Sequence, residues 1–229
     1  MRFAGLAAAA ALVLGLAACS GGQGAAPLYP QLLAAAQDSI AQKRTRGASA
    51  ERPPLTRAAL NDVQGAYIEV TLERSGIFAY LFHSAERHDD SPGRVVQWRT
   101  EDNVTLSLRN GVLIATRGLG GDVVSSAVNV SDGVTGPAGG GQKAHYIRTG
   151  DLAERRLALA CDLRDLGPET IEIVELRYHV RHLREDCTAA QGGRVVNDYW
   201  VDSRRDIVWK SRQWAGPHIG YLRIRRLTE

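Results

Sequence analysis

The sequence predicts a mainly β protein: a large antiparallel meander sheet, curved or partly barrel-like, with one or two short N-terminal helices. Three observations point there. Residues 67–72 and 104–109 each alternate between two faces, the period-two pattern of half-buried strands. Asn110-Gly111 separates two strand-like runs, and both residues tolerate the positive φ that a two-residue hairpin requires. From residue 66 onward, strand-like segments follow one another across short turns, which favours antiparallel neighbours.

The elements follow in chain order. Residues 28–42 are alanine-rich, with Leu32, Leu33, Ala36 and Ile40 at helical spacing, and predict a helix. A charged loop, 43–54, ends at Pro53-Pro54. Thr56 stands as an N-cap before a short helix over 57–63. Strands are expected at 67–72, 77–83, 95–99, 104–109, 112–116 and 143–148. A loop is expected over 123–141, flexible at Gly139-Gly140-Gly141. Two further strands, 156–163 and 170–183, are divided by Gly167-Pro168. Residues 195–201 and 207–214 form a hairpin around Asp202-Ser203-Arg204-Arg205, and 219–227 closes the chain. There is no internal repeat.

Upstream of the sheet the pattern changes. Arg2 precedes an apolar run over 3–18, too short and too alanine-rich for a membrane span of about 20 residues. A basic start, an apolar stretch and small residues at its end make a secretory signal peptide. Leu16-Ala17-Ala18-Cys19 resembles the lipobox of bacterial lipoproteins. That resemblance implies cleavage before Cys19, a diacylglycerol on its thiol and acylation of the new amine, giving a stable multi-chain anchor. Ser20 stands where an aspartate would resemble an inner-membrane retention signal, which implies the outer membrane. The alternative is an ordinary signal peptide that happens to end in a cysteine. The expected organisation is a lipoprotein signal peptide over 1–18, a flexible tether over 19–27, and a single β-rich periplasmic domain over 28–229. The mature chain of about 210 residues suffices for one sizeable core.

With Cys19 given to lipid, Cys161 and Cys187 remain. An even pair in an oxidising compartment predicts a disulfide, closing a loop of about 25 residues and contributing about 3 kcal/mol. Two cysteines without CxxC spacing make a poor zinc site, so no metal and no other cofactor is expected. Net charge is +3, unevenly spread: between Arg177 and Arg226 stand eleven Arg or Lys against five Asp or Glu. Alternation puts Tyr221, Arg223 and Arg225 on one face, with Leu222, Ile224 and Arg226 on the other. Lys210 and Arg212 share a face opposite Trp209 and Ser211. If the two strands are neighbours, Lys210, Arg212, Arg223 and Arg225 form one basic patch for an acidic glycan or an acidic partner surface. Solvated strand faces with ordinary charges are the alternative.

Motifs for other chemistry are weak. Arg117-Gly118-Leu119-Gly120-Gly121-Asp122 lacks the GxxxxGK[ST] spacing and a following helix, so a tight turn or bulge is the better reading. His83, His88, Asp89 and Asp90 cluster at a turn without any metal motif. His179 and His182 point to opposite strand faces, as do Glu172 and Glu175, which argues against a local ligand pair or glycosidase pair. No GxSxG is present. Any of Trp98, Trp200, Trp209 and Trp214 would stack on sugar if exposed; burial in the core is the commoner fate.

Two stretches point to a family. Val96-Gln97-Trp98-Arg99-Thr100 leads into Val104-Thr105-Leu106-Ser107-Leu108-Arg109-Asn110-Gly111-Val112-Leu113-Ile114-Ala115-Thr116-Arg117-Gly118-Leu119-Gly120. Further on come Tyr199-Trp200-Val201-Asp202, Val208-Trp209-Lys210-Ser211-Arg212-Gln213-Trp214, Gly216-Pro217 and Gly220-Tyr221. With the lipobox, they resemble the YjbF/GfcB family of lipoproteins, associated with exopolysaccharide and group 4 capsule production. The resemblance implies a largely antiparallel β fold on the periplasmic face of the outer membrane, with lipid on Cys19 and no established catalytic residues. The expected function is a non-enzymatic accessory factor in polysaccharide assembly or export. Expected partners are other export proteins, and an acidic polysaccharide is a further candidate; nucleic acid is not among them. Two alternatives stay open: an envelope enzyme that modifies polysaccharide, and a structural lipoprotein without a glycan role.

Overall fold

In the computed structural model, residues 55–149 and 153–229 are described; the signal peptide, tether and helix expected over 1–18, 19–27 and 28–42, with Cys19, lie outside them. Helix α1 (Arg57–Asn61) begins at the expected cap, where Thr56 Oγ1 accepts from Ala59 N at 3.2 Å. Twelve strands follow: β1 (Tyr67–Leu72), β2 (Phe78–Arg87), β3 (Val95–Arg99), β4 (Thr105–Arg109), β5 (Val112–Arg117), β6 (Val123–Ala127), β7 (Gly141–Arg148), β8 (Glu154–Ile173), β9 (Leu176–Ala189), β10 (Arg194–Asp202), β11 (Ile207–Trp214) and β12 (Tyr221–Arg226). The Asn110-Gly111 turn forms with φ of 47° and 85°.

All twelve strands form one antiparallel sheet in the order β5-β4-β3-β2-β1-β12-β11-β10-β9-β8-β7-β6. A plain meander would leave its first and last strands as edges. Here they pair with each other, Ile68 opposite Arg226, Val70 opposite Ile224 and Leu72 opposite Leu222. The sheet thus curls into a nearly closed barrel whose seam lies between β5 and β6, sequence neighbours that share no ladder. Gln213, reaching from β11, serves backbone groups beside that seam. Its Oε1 accepts from Leu113 N at 2.7 Å and its Nε2 donates to Gly111 O at 2.9 Å.

Apolar side chains occupy both faces. Inside, Ile68, Val70, Leu81, Trp98, Leu106, Leu222 and Ile224 form the main lumenal cluster. Outside, Tyr67, Phe78 and Tyr80 of β1 and β2 are covered by Leu60 of α1 and by Ile171, Ile173, Tyr178 and Val180 from the end of the β8–β9 hairpin. This hairpin outgrows the barrel wall. β8 pairs with β7 only as far as Cys161, and β9 pairs with β10 only from Arg181 onward. Its free end folds back over the outer face, where burial of these side chains drives the docking.

Three sequence expectations are corrected. Residues 123–141 are not all loop: Val123–Ala127 pairs with β7, which itself starts at Gly141. Gly167-Pro168 is a bulge rather than a turn. β8 runs through it, Gly167 takes φ of 100°, and Asp165 Oδ1 accepts from Gly167 N at 2.8 Å. The chain reverses instead at Val174-Glu175, both with positive φ. Finally, a bulge between β10 and β11 leaves Trp209 unpaired, with Trp200 opposite Lys210 and Val201 opposite Val208. The extra residue breaks the alternation, so Trp209 joins the outer cluster instead of sharing a face with Ser211.

Candidate functional site

Lys210 and Arg212 alternate along β11, Arg223 and Arg225 along β12. The ladder sets Lys210 directly opposite Arg225 and Arg212 directly opposite Arg223. Four basic side chains therefore stand in a block on the outer face. Like charges across an antiparallel pair repel, and acids from the neighbouring strand and turn relieve this. Glu73, just after β1, accepts from Arg212 through both carboxylate oxygens, at 2.9 and 3.1 Å, and lies 3.6 Å from Arg223. Glu69, buried on β1, accepts from Arg225 Nη2 at 2.7 Å. Hydrogen bonding to Glu73 raises the Arg212 pKa, and the Arg212 guanidinium also lies 3.5 Å over the Tyr221 ring. Lys210 sits 4.2 Å from the centre of the Trp200 ring. Four cations against two anions leave the block positive.

Beside it lies a cleft of about 230 Å³, closed on its far side by Glu172 and Ile173 of the hairpin. Lys210, Arg223 and Arg225 line it together with Glu69 and Thr71. The bent hairpin thus turns a flat charged strand pair into a walled groove. Its chemistry is that of anion attraction and hydrogen bonding.

The remaining candidates disperse. Trp98, Trp200 and Trp209 are buried, and Trp214 is half-buried beside the disulfide. Glu172 faces Arg177, whereas Glu175 accepts from Arg57 N. His179 meets Thr170, and His182 meets Asp198 and Glu169. Asp89 is held by Arg109 and Arg87, which keep its carboxyl well below the usual carboxylate range. The glycine-rich segment at 117–122 is a turn around Asp122, whose carboxylate accepts from Thr116 Oγ1, Gly118 N and Leu119 N. A β-carbon on Gly121 would sit 2.6 Å from His218 Cβ. Ser126 Oγ lies 2.5 Å from His145 Nδ1, a pair that invites comparison with a nucleophile and its base. Burial and the adjacent Lys143 push the His145 pKa down to about 3, too weakly basic for that task at neutral pH.

Cys161 and Cys187 face each other across β8 and β9 and form the expected disulfide, with Cα atoms 4.0 Å apart. Among the described residues they also form, with Glu185, a group of potential metal donors close enough to share an ion. The bond between the sulfurs withdraws both thiolates from that role.

A family model described as group 4 capsule polysaccharide lipoprotein gfcB, YjbF matches residues 33–227, which span the whole barrel, the basic block and the disulfide. The chain belongs to the YjbF family. The family is thus one of capsule polysaccharide-associated lipoproteins. The crystal structure of the hypothetical lipoprotein YmcC from Escherichia coli (K12) matches with a TM-score of 0.60 at 18% identity, covering 77% of this chain and 90% of that one. At that identity the likeness is one of fold. No curated protein matches the chain. Among the described residues, no helix is long and apolar enough to cross a membrane.

Sequence reasoning placed the four basic residues of this YjbF-family chain on one face. It missed Glu69 and Glu73, which neutralise half of the block, and the hairpin wall. Glu69 was visible as an outward residue of β1, but the β1–β12 pairing that brings it to Arg225 is not a local property.

Proposed function

We propose that this chain is a non-enzymatic accessory factor in capsule or exopolysaccharide assembly or export. In this reading, acylated Cys19 tethers it to the periplasmic face of the outer membrane. It holds an acidic polysaccharide, or an acidic surface of another export protein, against Lys210, Arg212, Arg223 and Arg225. The observation that carries the reading is the block itself: two directly opposed basic pairs beside a groove, in a family associated with a capsule polymer. Glu69 and Glu73 fix the geometry of Arg225 and Arg212, and Lys210, with Arg223 at the longer 3.6 Å distance from Glu73, is the freest for the ligand. The attraction weakens as salt rises, because exposed charges are screened over about 10 Å at 0.1 M. The disulfide fits an oxidising compartment.

Glutamine at all four basic positions tests the site. Because Arg225 is a partner of buried Glu69, the Lys210→Gln, Arg223→Gln double variant is the second arm that keeps the fold. Both variants should secrete less polymer and recover less partner from crosslinked envelopes, and unchanged secretion and recovery from a folded variant reject the block. Cys19→Ala tests the tether separately. It should abolish palmitate incorporation and outer-membrane fractionation, and retention of both defeats the lipobox reading.

A further inference from the structure

Arg226 continues the inward side of β12. Leu222 and Ile224 line the lumen, and Arg226, next in that alternation, stands opposite Ile68. Its guanidinium lies 4.6 Å from the centre of the Trp98 ring, and Nε donates to Thr228 O at 2.6 Å. These contacts hold the group but do not neutralise it. In the outer block Arg212, Arg223 and Arg225 each have a carboxylate. Arg226 has none within ion-pair distance among the described residues. Asp206 is held by Arg94 and Thr135, and Glu229 by Arg205. Burial and the nearby Arg94 lower the Arg226 pKa to about 10 against an opposing pull from Glu229, so it is still a cation at neutral pH. A half-buried charge whose nearest acidic influence, Glu229, lies beyond ion-pair distance is only partly compensated.

Arg226 borders a pocket of about 90 Å³ at the barrel end that carries the Asn110-Gly111 turn. Val96, Leu108 and Ile224 make apolar walls, and Asn110, Thr135 and Ser211 add polar groups. We propose that this pocket binds a single carboxylate on the Arg226 guanidinium. The planar fork matches a carboxylate through two parallel hydrogen bonds. A single guanidinium without an ion-pair partner, in a small pocket of mixed polar and apolar walls, suits a monoanion better than phosphate, and Asp206, which also lines the pocket beside Arg94, disfavours a second negative charge. Carboxylates reach such a site either as free small acids or as the acidic group of a sugar. This site is separate from the outer basic block, so either stands without the other.

The test is an arginine Nε–Hε NMR titration of the full chain in detergent with sodium acetate, sodium glucuronate, sodium phosphate, glucose and sodium chloride at matched ionic strength. A saturable shift of the Arg226 resonance with acetate is expected. A matching shift with glucuronate extends the site to sugar acids, and a response to acetate alone confines it to small acids. Arg226→Lys keeps the charge but loses the fork, and should weaken acetate binding about tenfold; Arg94→Gln should retain it. No saturable shift with either carboxylate, tighter binding of phosphate, or binding lost in Arg94→Gln but intact in Arg226→Lys overturns the proposal.

Discussion

Lys143 Nζ lies 2.7 Å from Glu185 Oε2 inside the barrel, with the two side chains only 2% and 1% exposed. Asn197 Nδ2 donates to the same carboxylate oxygen at 2.8 Å, and Asn197 Oδ1 accepts from Trp214 N at 2.8 Å. The network ties β7, β9, β10 and β11 together across a lumen that is otherwise largely apolar on its other side. Removing one partner strands the other charge away from water. Lys143→Met or Glu185→Gln is therefore expected to cost about 3–5 kcal/mol, read from urea midpoints. The double change Lys143→Met with Glu185→Leu should recover most of that loss, because no charge remains buried. A double variant as unstable as the worse single one would show that the pair stabilises more than its own desolvation costs.

The Cys161–Cys187 bond should be present in protein taken directly from the envelope. Non-reducing mass mapping is expected to find no free thiol at either position, and the Cys161→Ala, Cys187→Ala protein should be about 3 kcal/mol less stable. Two alkylatable thiols in native material contradict the first expectation.

Arg57 is the clamp of the β8–β9 hairpin. From α1 it donates through Nε to Val174 O at 3.3 Å, through Nη2 to Ile173 O at 3.2 Å, and through Nη1 to Leu227 O at 3.0 Å. Its backbone amide donates to Glu175 Oε2 at 3.2 Å. Val174 takes φ of 43°, unfavourable for a β-branched residue, so the reversal needs outside support. Arg57→Ala should cost about 2 kcal/mol, since charge-assisted hydrogen bonds are the stronger ones. Amide exchange at 171–178 should accelerate more than in the barrel strands. Uniform acceleration across the sheet would mean that the hairpin end and the barrel open as one unit.

His145 gives the fold a pH dependence of definite sign. Its folded pKa is near 3 and its ordinary value is 6.5, so between those values the unfolded chain binds a proton that the folded chain does not. Stability is then complete above pH about 6.5 and falls as acid is added toward pH 3, by up to about 1.4 kcal/mol per pH unit. Paired urea titrations of the wild type and His145→Gln across this window should show a shallower slope in the variant. Identical slopes would assign the acid sensitivity to other groups.

The elements legible in the sequence are those whose cause is local. Alternation over 67–72 and 104–109 reports which side chains share a face, because a strand's period is two whatever it pairs with. Asn110-Gly111 specifies its turn because both residues accept positive φ themselves. The α1 cap needs only Thr56 and its own first turn. Pairing Cys161 with Cys187 required no fold, only the count of cysteines left once Cys19 is read as the lipid site of an exported chain. By the same alternation, the grouping of Lys210, Arg212, Arg223 and Arg225 followed once β11 and β12 were neighbours.

Tertiary structure decided what depends on distant partners. The reversal at Val174-Glu175 has no glycine or asparagine to announce it, since its strained backbone is held from outside by Arg57; Gly167-Pro168 carries the local signal and is only a bulge. Backbone hydrogen-bonding groups are alike in every strand, so alternation cannot reveal that β1 closes on β12 and leaves the seam at β5 and β6. That closure brings Glu69 to Arg225 and sets Arg226 inside the lumen under Trp98. Sequence assigned Arg226 to the apolar face of its strand, but only a curled barrel makes that face a half-buried place where an arginine has no carboxylate within ion-pair distance among the described residues.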